Sequence, residues 1–162
     1  TLVLRCGVIA GPWQQGRVDQ GFVSLWAARH RYGGPLDYIG FGGEGLQVRD
    51  VLHVEDFCDL VLLLLRDAER HSGKTYCAGG GPELSLSLRE LTSLLEELCR
   101  HKLAPGARPE THASDIPWFV TDNRELSQAT GWRPRRSLQQ LLEDVIRWLD
   151  SERGQLERVF AA

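Results

Sequence analysis

Methionine is absent from the 162 residues, and lysine is nearly absent, with Lys74 and Lys102 beside 17 arginines. Long apolar runs are missing too. The longest near-continuous run, Leu60 to Leu65, is far shorter than the ~20 residues that a bilayer-spanning helix requires, so we expect no membrane partner. The amino end, Thr1 to Arg5, also lacks the basic and then apolar order that is typical of a signal peptide.

Cysteine pairs and a basic excess are likewise missing. The four cysteines form no C-x-x-C pair, which argues against a zinc site or a disulfide framework and favours reduced thiols in a cytoplasmic protein. The formal net charge is −3, whereas general nucleic-acid binders carry a basic excess, so we expect no nucleic-acid partner. With 42% hydrophobic and 25% charged residues, the composition is that of a globular protein.

Strand and helix signals alternate along the chain. The aliphatic stretch from Thr1 to Ile9 predicts a buried strand, and because the chain opens directly on it without methionine, we expect a fragment of a longer protein. Apolar residues surround the segment from Glu55 to Arg70 almost completely, which predicts a helix buried beneath a sheet. Further strands are expected at 46–54, 75–78 and 118–121, and further helices at 20–31, 88–99 and 138–152. This order predicts an α/β fold with a small extra lobe.

Three helix starts are marked by polar side chains. Ser87 with Glu90 and Ser137 with Gln140 have the spacing of capping boxes, in which two side chains satisfy each other's backbone N–H groups. Asp122 is expected to cap a short helix.

The segment from Gly40 to Gly45 spells G-x-G-x-x-G, the pattern of a dinucleotide-binding turn. That chemistry requires the last glycine to open a helix whose unpaired N–H groups meet a pyrophosphate. Here the following residues, 46–54, have the pattern of a strand. We therefore reject a dinucleotide loop and predict a hairpin turn.

Arg49 lies inside this predicted strand, between Gln47 and Asp50 and just after the glycine-rich turn. An arginine on a rigid element presents a fork of N–H donors that suits a phosphate or a pyrophosphate. The alternative is a structural ion pair with Asp50. Residue chemistry alone leaves both interpretations open.

The residues around Arg49 resemble a known family. Residues 43–56, GEGLQVRDVLHVED, are similar to the signature of the carboxy-terminal half of extended short-chain dehydrogenases/reductases, the family of NAD-dependent nucleotide-sugar epimerases and dehydratases. The similarity continues in the family's order at 5–12, 76–83, 114–122 and 131–134, and so covers essentially the whole chain. Asp19-Gln20-Gly21 and the string QVRDVLH resemble most the CDP-paratose (tyvelose) 2-epimerase branch.

The resemblance implies a Rossmann-like α/β fold, of which residues 1–162 are the carboxy-terminal portion with the small substrate-binding lobe, the amino-terminal dinucleotide-binding portion being absent. It implies a nucleotide-diphosphate sugar as substrate and NAD as cofactor, held mainly by the missing portion. It also implies a cytoplasmic isomerase or dehydratase that forms a homodimer at full length.

The resemblance assigns the nucleotide to the middle of the chain. Arg49 would hold the diphosphate. Gly40 and Gly42 would offer strand backbone beside the base, and Gln20 and Gly21 would open a helix near the nucleotide.

Other matched positions depart from the family's pattern. Asp115 and His112 match substrate-binding positions, but His112 stands where the family has a second phosphate-binding arginine, a role that Arg108 would have to take. Cys6 and Val8 would lie near the nicotinamide of the cofactor, and Val8 replaces the usual polar Asn or Ser.

The family's catalytic Tyr-x-x-x-Lys pair is expected upstream of this chain, because none of Tyr32, Tyr38 and Tyr76 is followed by lysine four residues later. In the family, this tyrosine is the acid and base while NAD transiently oxidises the sugar. The 162 residues alone are therefore expected to be inactive.

Asp56 is expected to cap the helix after its strand. The alternative is a non-catalytic nucleotide-sugar-binding or interaction module, and the sugar, the base and the choice among epimerisation, dehydration and reduction stay open.

Overall fold

The computed structural model describes residues 1–17 and 20–160. Asp19, part of one matched motif, lies outside the described residues. The strands of the described chain are β1 (Val3–Cys6), β2 (Val8–Ala10), β3 (Asp37–Ile39), β4 (Val48–His53), β5 (Thr75–Ala78), β6 (Ser85–Ser87), β7 (Gly106–Arg108) and β8 (Trp118–Phe119). The α-helices are α1 (Phe22–Tyr32), α2 (Val54–Arg66), α3 (Leu88–Cys99), α4 (Arg124–Thr130), α5 (Leu138–Ser151) and α6 (Arg153–Phe160).

The strands form three small sheets that are mostly parallel. β1 pairs with β5, and β3 pairs with β7, both in parallel. In the third sheet, β4 is the centre: it pairs in parallel with β2 and β8 and antiparallel with β6. Parallel neighbours joined through helices are the signature of an α/β fold, which is the predicted class.

β1 is an edge strand within the described chain and not the buried strand that was predicted. It pairs with β5 alone. Val3 is 43% exposed, and Arg5 and Cys6 are also exposed. The sequence of β1 is therefore as apolar as that of a buried strand, although the described residues leave much of β1 exposed.

The main core lies among α1, α3, α5 and α6. Leu95, Val145 and Leu149 are fully buried there, and each buried leucine contributes about 1.5–3 kcal/mol. Thr92 fixes the orientation of two aromatic rings, because its Oγ1 accepts hydrogen bonds from Trp26 Nε1 at 3.0 Å and from the Tyr38 hydroxyl at 2.8 Å. α6 was not predicted, since its exposed face is strongly polar.

The prediction that α2 is buried on all sides is wrong. Leu60 and Leu64 are buried, whereas Leu62 is 56% and Leu65 is 65% exposed. The prediction that Asp56 caps this helix is also wrong. His53 is the N-cap, and its Nδ1 accepts a hydrogen bond from the Glu55 N–H.

Asp56 instead joins α2 to a distant loop. Its Oδ2 accepts hydrogen bonds from the backbone N–H groups of Arg135 and Arg136, and its Oδ1 pairs with the Arg136 guanidinium at 2.6 Å. The Asp56 side chain is 1% exposed. Because Asp56 makes these long-range contacts, it does not cap α2 as the sequence suggested.

The glycine-rich segment does not form the predicted hairpin turn. β3 pairs with β7 and not with β4, and a 3₁₀ turn at Phe41–Gly43 follows β3. Gly43 has φ of 70°, and a Cβ there would lie 2.8 Å from the Ala107 Cβ, so both conformation and space require glycine. The segment leads into β4 and not into a helix, in agreement with the rejected dinucleotide loop.

Both predicted capping boxes are confirmed. The Ser87 side chain accepts from the Glu90 N–H, the Ser137 side chain accepts from the Gln140 N–H, and the reciprocal bonds are present. At α4, the N-cap is Asn123, while Asp122 Oδ1 accepts from the Arg124 N–H. In the part of the chain that the structure describes, no helix is long and apolar enough to cross a membrane.

Candidate functional site

Arg49 lies on β4 at the point where this strand has neighbours on both sides. Arg49 is opposite Leu86 of β6 and Phe119 of β8, so its backbone is held in the centre of the sheet. Its Nη1 donates to the Val48 carbonyl at 2.8 Å, and its Nη2 donates to Asp115 Oδ1 at 2.7 Å. The side chain is 20% exposed. The hydrogen bonds to Val48 and Asp115 thus fix the direction of the Arg49 guanidinium.

The alternative pairing of Arg49 with Asp50 is wrong, because successive residues of a strand face opposite sides. Asp50 is 0% exposed, and its Oδ2 accepts a hydrogen bond from the Gly81 N–H at 3.0 Å. The carboxylate partner of Arg49 is Asp115, which lies 66 residues later in the chain.

The Arg49 guanidinium keeps donors for a ligand. An arginine has five side-chain N–H groups, of which Val48 and Asp115 use two within the described residues. Asp115 Oδ1 also accepts from the Ile116 N–H at 2.9 Å, which fixes the carboxylate that orients the guanidinium. Three N–H groups of Arg49 therefore have no partner among the described residues.

Arg49 and Asp115 line a cleft of about 470 Å³. Five of the predicted site residues meet there: Val8, Gln20, Gly21, Arg49 and Asp115. The other lining residues are Ile9, Gln14, Phe22, Gln47, Leu86 and Leu88. The volume is within the range of small-molecule sites, and the wall combines apolar surface with a few polar groups.

Helix α1 begins at this cleft. Its N-cap, Gly21, has φ of 70°, a left-handed conformation that favours glycine, and no described side chain caps the helix. The first turn contains no acidic residue. Unpaired N–H groups and the positive end of the helix dipole attract anions, so α1 and Arg49 favour the same kind of ligand.

The other residues predicted to bind substrate lie outside the cleft lining. Gly40 and Gly42 donate their N–H groups to the carbonyls of Arg108 and Pro109, so these two glycines belong to the β3 and β7 region. His112 is exposed, and the Ser114 N–H and hydroxyl lie within hydrogen-bonding distance of its Nδ1.

Arg108, the expected substitute for a second phosphate-binding arginine, is committed elsewhere. Its Nη2 pairs with Asp37 Oδ2 at 2.6 Å, and its side chain is 64% exposed. Among the residues that the structure describes, Arg49 is the one arginine that lines the cleft.

Two residues were predicted to contact the cofactor. Val8 lines the cleft and offers no polar side-chain atom, while Cys6 is exposed at the end of β1. Although the residue is exposed overall, partial burial of its thiol raises the Cys6 pKa, which keeps the sulfur protonated and weakly nucleophilic. In the described chain, no glycine-rich turn leads from a strand directly into an α-helix, so these residues do not by themselves form a dinucleotide-binding turn.

Two glutamines that line the cleft, Gln14 and Gln47, were not predicted from the sequence. Both amide atoms of Gln14 have a partner, because its Nε2 donates to the Ile9 carbonyl and its Oε1 accepts from the Ser24 hydroxyl. Gln47 Nε2 donates to the Ile39 carbonyl at 3.0 Å. Gln47 precedes Arg49 by two residues, and this strand periodicity was the signal that could have placed it in the same cleft.

A larger open groove of about 1040 Å³ lies along residues 80–84, 120–124 and 133–137. It contains none of the residues predicted to bind a ligand. Two of its arginines are already paired, Arg124 with Asp122 and Arg136 with Asp56. The smaller cleft is therefore the candidate site.

Comparison with known proteins gives a consistent result. Residues 1–79 match the NAD dependent epimerase/dehydratase family. A CDP-paratose 2-epimerase of Salmonella typhi is 31% identical over 153 residues, which cover 93% of this chain and 45% of that protein.

Solved structures share the fold. The UDP-glucose 4-epimerase of Thermotoga maritima, solved with UDP-glucose, superposes with a TM-score of 0.78 at 23% identity over 93% of this chain and 46% of that one. MoeE5 in complex with UDP-glucose and NAD gives a TM-score of 0.74 at 25% identity over 92% of this chain and 46% of its own. The predicted Rossmann-like α/β class is thereby confirmed. The chain spans less than half the length of these relatives.

Proposed function

Because residues 1–79 match the NAD dependent epimerase/dehydratase family and most of the chain is similar to a CDP-paratose 2-epimerase, we propose that it is the nucleotide-sugar-binding portion of an NAD-dependent nucleotide-sugar epimerase or dehydratase. Residues 1–162 are its carboxy-terminal portion. The observation that carries this proposal is Arg49, the second residue of β4, which lines the cleft and has three N–H groups without a partner among the described residues.

The chemistry of the cleft supports a diphosphate as the anchoring group. Arg49 supplies donors in a fork that matches phosphate oxygens, and the start of α1 adds unpaired N–H groups and a positive dipole. Asp115 holds the guanidinium in direction and has a second oxygen, Oδ2, that is available to ligand hydroxyls. The nucleoside and the sugar then extend from the diphosphate along the cleft.

Two unpartnered surfaces support a longer protein around these residues. Within the described chain, β1 has a neighbour on one side only, and Leu62 and Leu65 of α2 are exposed. An open strand edge and an apolar helix face both favour contact with further structure. The chain also spans 45% of the CDP-paratose 2-epimerase.

The acid and base of the reaction are proposed to lie outside these residues. The hydroxyls of Tyr32 and Tyr38 donate to the Leu149 carbonyl and to Thr92 Oγ1, and the Tyr76 hydroxyl lies 3.1 Å from His71 Nδ1. Each tyrosine is therefore part of the packing. NAD, when bound by the full-length enzyme, supplies a hydride acceptor for the sugar, while this portion binds and orients the substrate.

Titration of UDP and of uridine into the native-length protein tests the proposed anchor. Because the diphosphate carries the binding, we expect UDP to bind at least 100-fold more tightly than uridine in isothermal titration calorimetry. Similar affinities for the two would contradict the proposal.

A second candidate function is a non-catalytic nucleotide-sugar-binding module. It is favoured by Val8, which offers no polar atom to the ligand, and by Arg108, which is paired with Asp37 outside the cleft. The two candidates differ in turnover. Proton NMR of a nucleotide sugar incubated with the native-length protein and NAD detects a new sugar for the enzyme and an unchanged spectrum for the module.

A further inference from the structure

Gln47 has an unusual environment for a polar side chain. It is 9% exposed, and it lines the cleft together with Arg49. Its Nε2 donates to the Ile39 carbonyl at 3.0 Å, whereas its Oε1 is buried and has no hydrogen-bond partner among the described residues. A buried acceptor without a partner costs about 1–3 kcal/mol. The Gln47 oxygen thus differs from that of Gln14, which accepts from the Ser24 hydroxyl.

The orientation of the Gln47 amide follows from its partner. A carbonyl oxygen can only accept, so the amide group facing the Ile39 carbonyl must be the nitrogen. The oxygen is therefore the atom left without a partner. Because the nitrogen is anchored to β3, the amide cannot swing out to bulk water without breaking that bond.

Gln47, the residue before β4, and Arg49, on β4, form a matched pair. Residues two apart in an extended chain face the same side at a separation of about 7 Å, and both residues line the same cleft. Arg49 offers donors only, whereas Gln47 Oε1 offers an acceptor only. A phosphate is repelled by an acceptor oxygen, so the group that meets Gln47 must be a hydrogen-bond donor joined to the anion that Arg49 binds.

We propose that Gln47 is a specificity-determining residue that accepts a hydrogen bond from the nucleoside of the bound nucleotide, an inference that rests on the proposed function. The donor is a hydroxyl or an N–H group of the nucleoside. Oε1 is buried in the unliganded chain, so it reaches a ligand in the cleft when the amide turns slightly with Nε2 still bonded to the Ile39 carbonyl. The neighbouring contact with Ile39 sets the limit of that turn.

The test compares ligands with and without a nucleoside on the Gln47→Met variant, which keeps the length of the side chain and removes the amide. Isothermal titration calorimetry on the native-length protein measures the affinity for UDP and for inorganic pyrophosphate. We expect the affinity for UDP to fall about tenfold, as for a lost hydrogen bond to a buried group. The affinity for pyrophosphate is expected to stay within twofold of wild type, because it has no nucleoside.

Two further nucleotides identify the donor. If the loss occurs for UDP but not for 2′-deoxy-UDP, the donor is the ribose 2′-hydroxyl. If it occurs for UDP and 2′-deoxy-UDP but not for CDP, the donor is the N3–H group of the base. An equal loss for all three nucleotides assigns a donor that they share, such as the 3′-hydroxyl. Each of these outcomes supports the proposal.

Other outcomes overturn it. An equal loss for UDP and pyrophosphate means that Gln47 only supports the shape of the cleft, and no loss for any nucleotide means that Oε1 meets no ligand. If the wild-type protein binds neither UDP nor pyrophosphate, the proposed function itself fails. This result differs from one in which the wild-type protein binds UDP and the Gln47→Met variant binds it equally well, which overturns the role of Gln47 alone.

Two additional variants control for stability. Gln155→Met makes the same chemical change on an exposed position of α6 and is expected to leave all affinities unchanged. If Gln47→Met does not fold, Gln47→Asn keeps the amide but is one methylene shorter, so it can reach Ile39 or the ligand but not both. It is then expected to weaken UDP binding and to spare pyrophosphate, and unchanged UDP binding would overturn the proposal.

Discussion

Replacement of Asp56 by alanine should destabilise the protein strongly, although Asp56 lies outside the cleft. The carboxylate is 1% exposed and accepts from the Arg135 N–H at 3.1 Å, the Arg136 N–H at 3.0 Å and the Arg136 guanidinium at 2.6 Å. These three bonds fasten the loop before α5 to the first turn of α2. Alanine removes the common acceptor of all three.

The expected loss follows from the number and exposure of these bonds. A hydrogen bond to a charged group contributes about 1.5–3 kcal/mol when it is well buried. Arg136 is 28% exposed, so water replaces part of each bond and a value below that range applies. With about 1 kcal/mol for each bond, we expect the free energy of unfolding to fall by about 3 kcal/mol, a large part of the 5–15 kcal/mol that is usual for a domain.

The assay is urea unfolding followed by tryptophan fluorescence, with Asp59→Ala as the matched control. Asp59 contacts the same arginine at 3.3 Å but is 52% exposed, and a surface ion pair of this kind contributes less than about 1 kcal/mol. Asp56→Ala should therefore cost at least 2 kcal/mol more than Asp59→Ala, by the difference between those two estimates. Equal losses for the two variants would refute the reasoning.

Two other predictions concern the fold. Gly43→Ala should lower the melting temperature more than Gly73→Ala, because both positions have positive φ but only Gly43 also lacks space for a Cβ; equal shifts in a thermal melt would argue against the close contact with Ala107. Burial lowers the pKa of His30, whose Nδ1 donates to the Trp26 carbonyl, so the unfolded chain binds a proton at higher pH than the folded chain. Stability should therefore fall as pH drops below about 6.5, the ordinary pKa of histidine, and a His30→Gln variant should lose part of that dependence; the same pH profile for both proteins would contradict it.

Local signals were sufficient where the deciding contacts are close in sequence. The capping boxes at Ser87 and Ser137 close within three residues, so the helix starts could be predicted from the side chains alone. Strand Thr75–Ala78 was also predicted with its observed bounds. Arg49 was predicted as a ligand-binding residue because it lies on a predicted strand just after a glycine-rich turn, where its fork of donors is held on a rigid element.

Long-range contacts explain what the sequence did not predict. The partners of Asp56 are 79 and 80 residues away, so a local capping role was the only interpretation at hand. The glycine-rich turn was assigned to a hairpin because β4 follows it directly, whereas the partner of β3 is β7, with Asp37 opposite Gly106. The ion pair of Arg49 is also a long-range contact, because its carboxylate partner is Asp115 and not the adjacent Asp50.

The most direct test of the account is the affinity of the Arg49→Ala variant for UDP, measured on the native-length protein beside Arg108→Ala. Arg49 lines the cleft, whereas Arg108 is exposed and paired with Asp37, so the two variants remove the same charge from different places. We expect Arg49→Ala to weaken UDP binding by about 10- to 100-fold, as for a lost charge-assisted hydrogen bond, and Arg108→Ala to change it less than threefold. Equal affinities for wild type and Arg49→Ala, with both proteins folded, would contradict the assignment of this cleft to a nucleotide diphosphate.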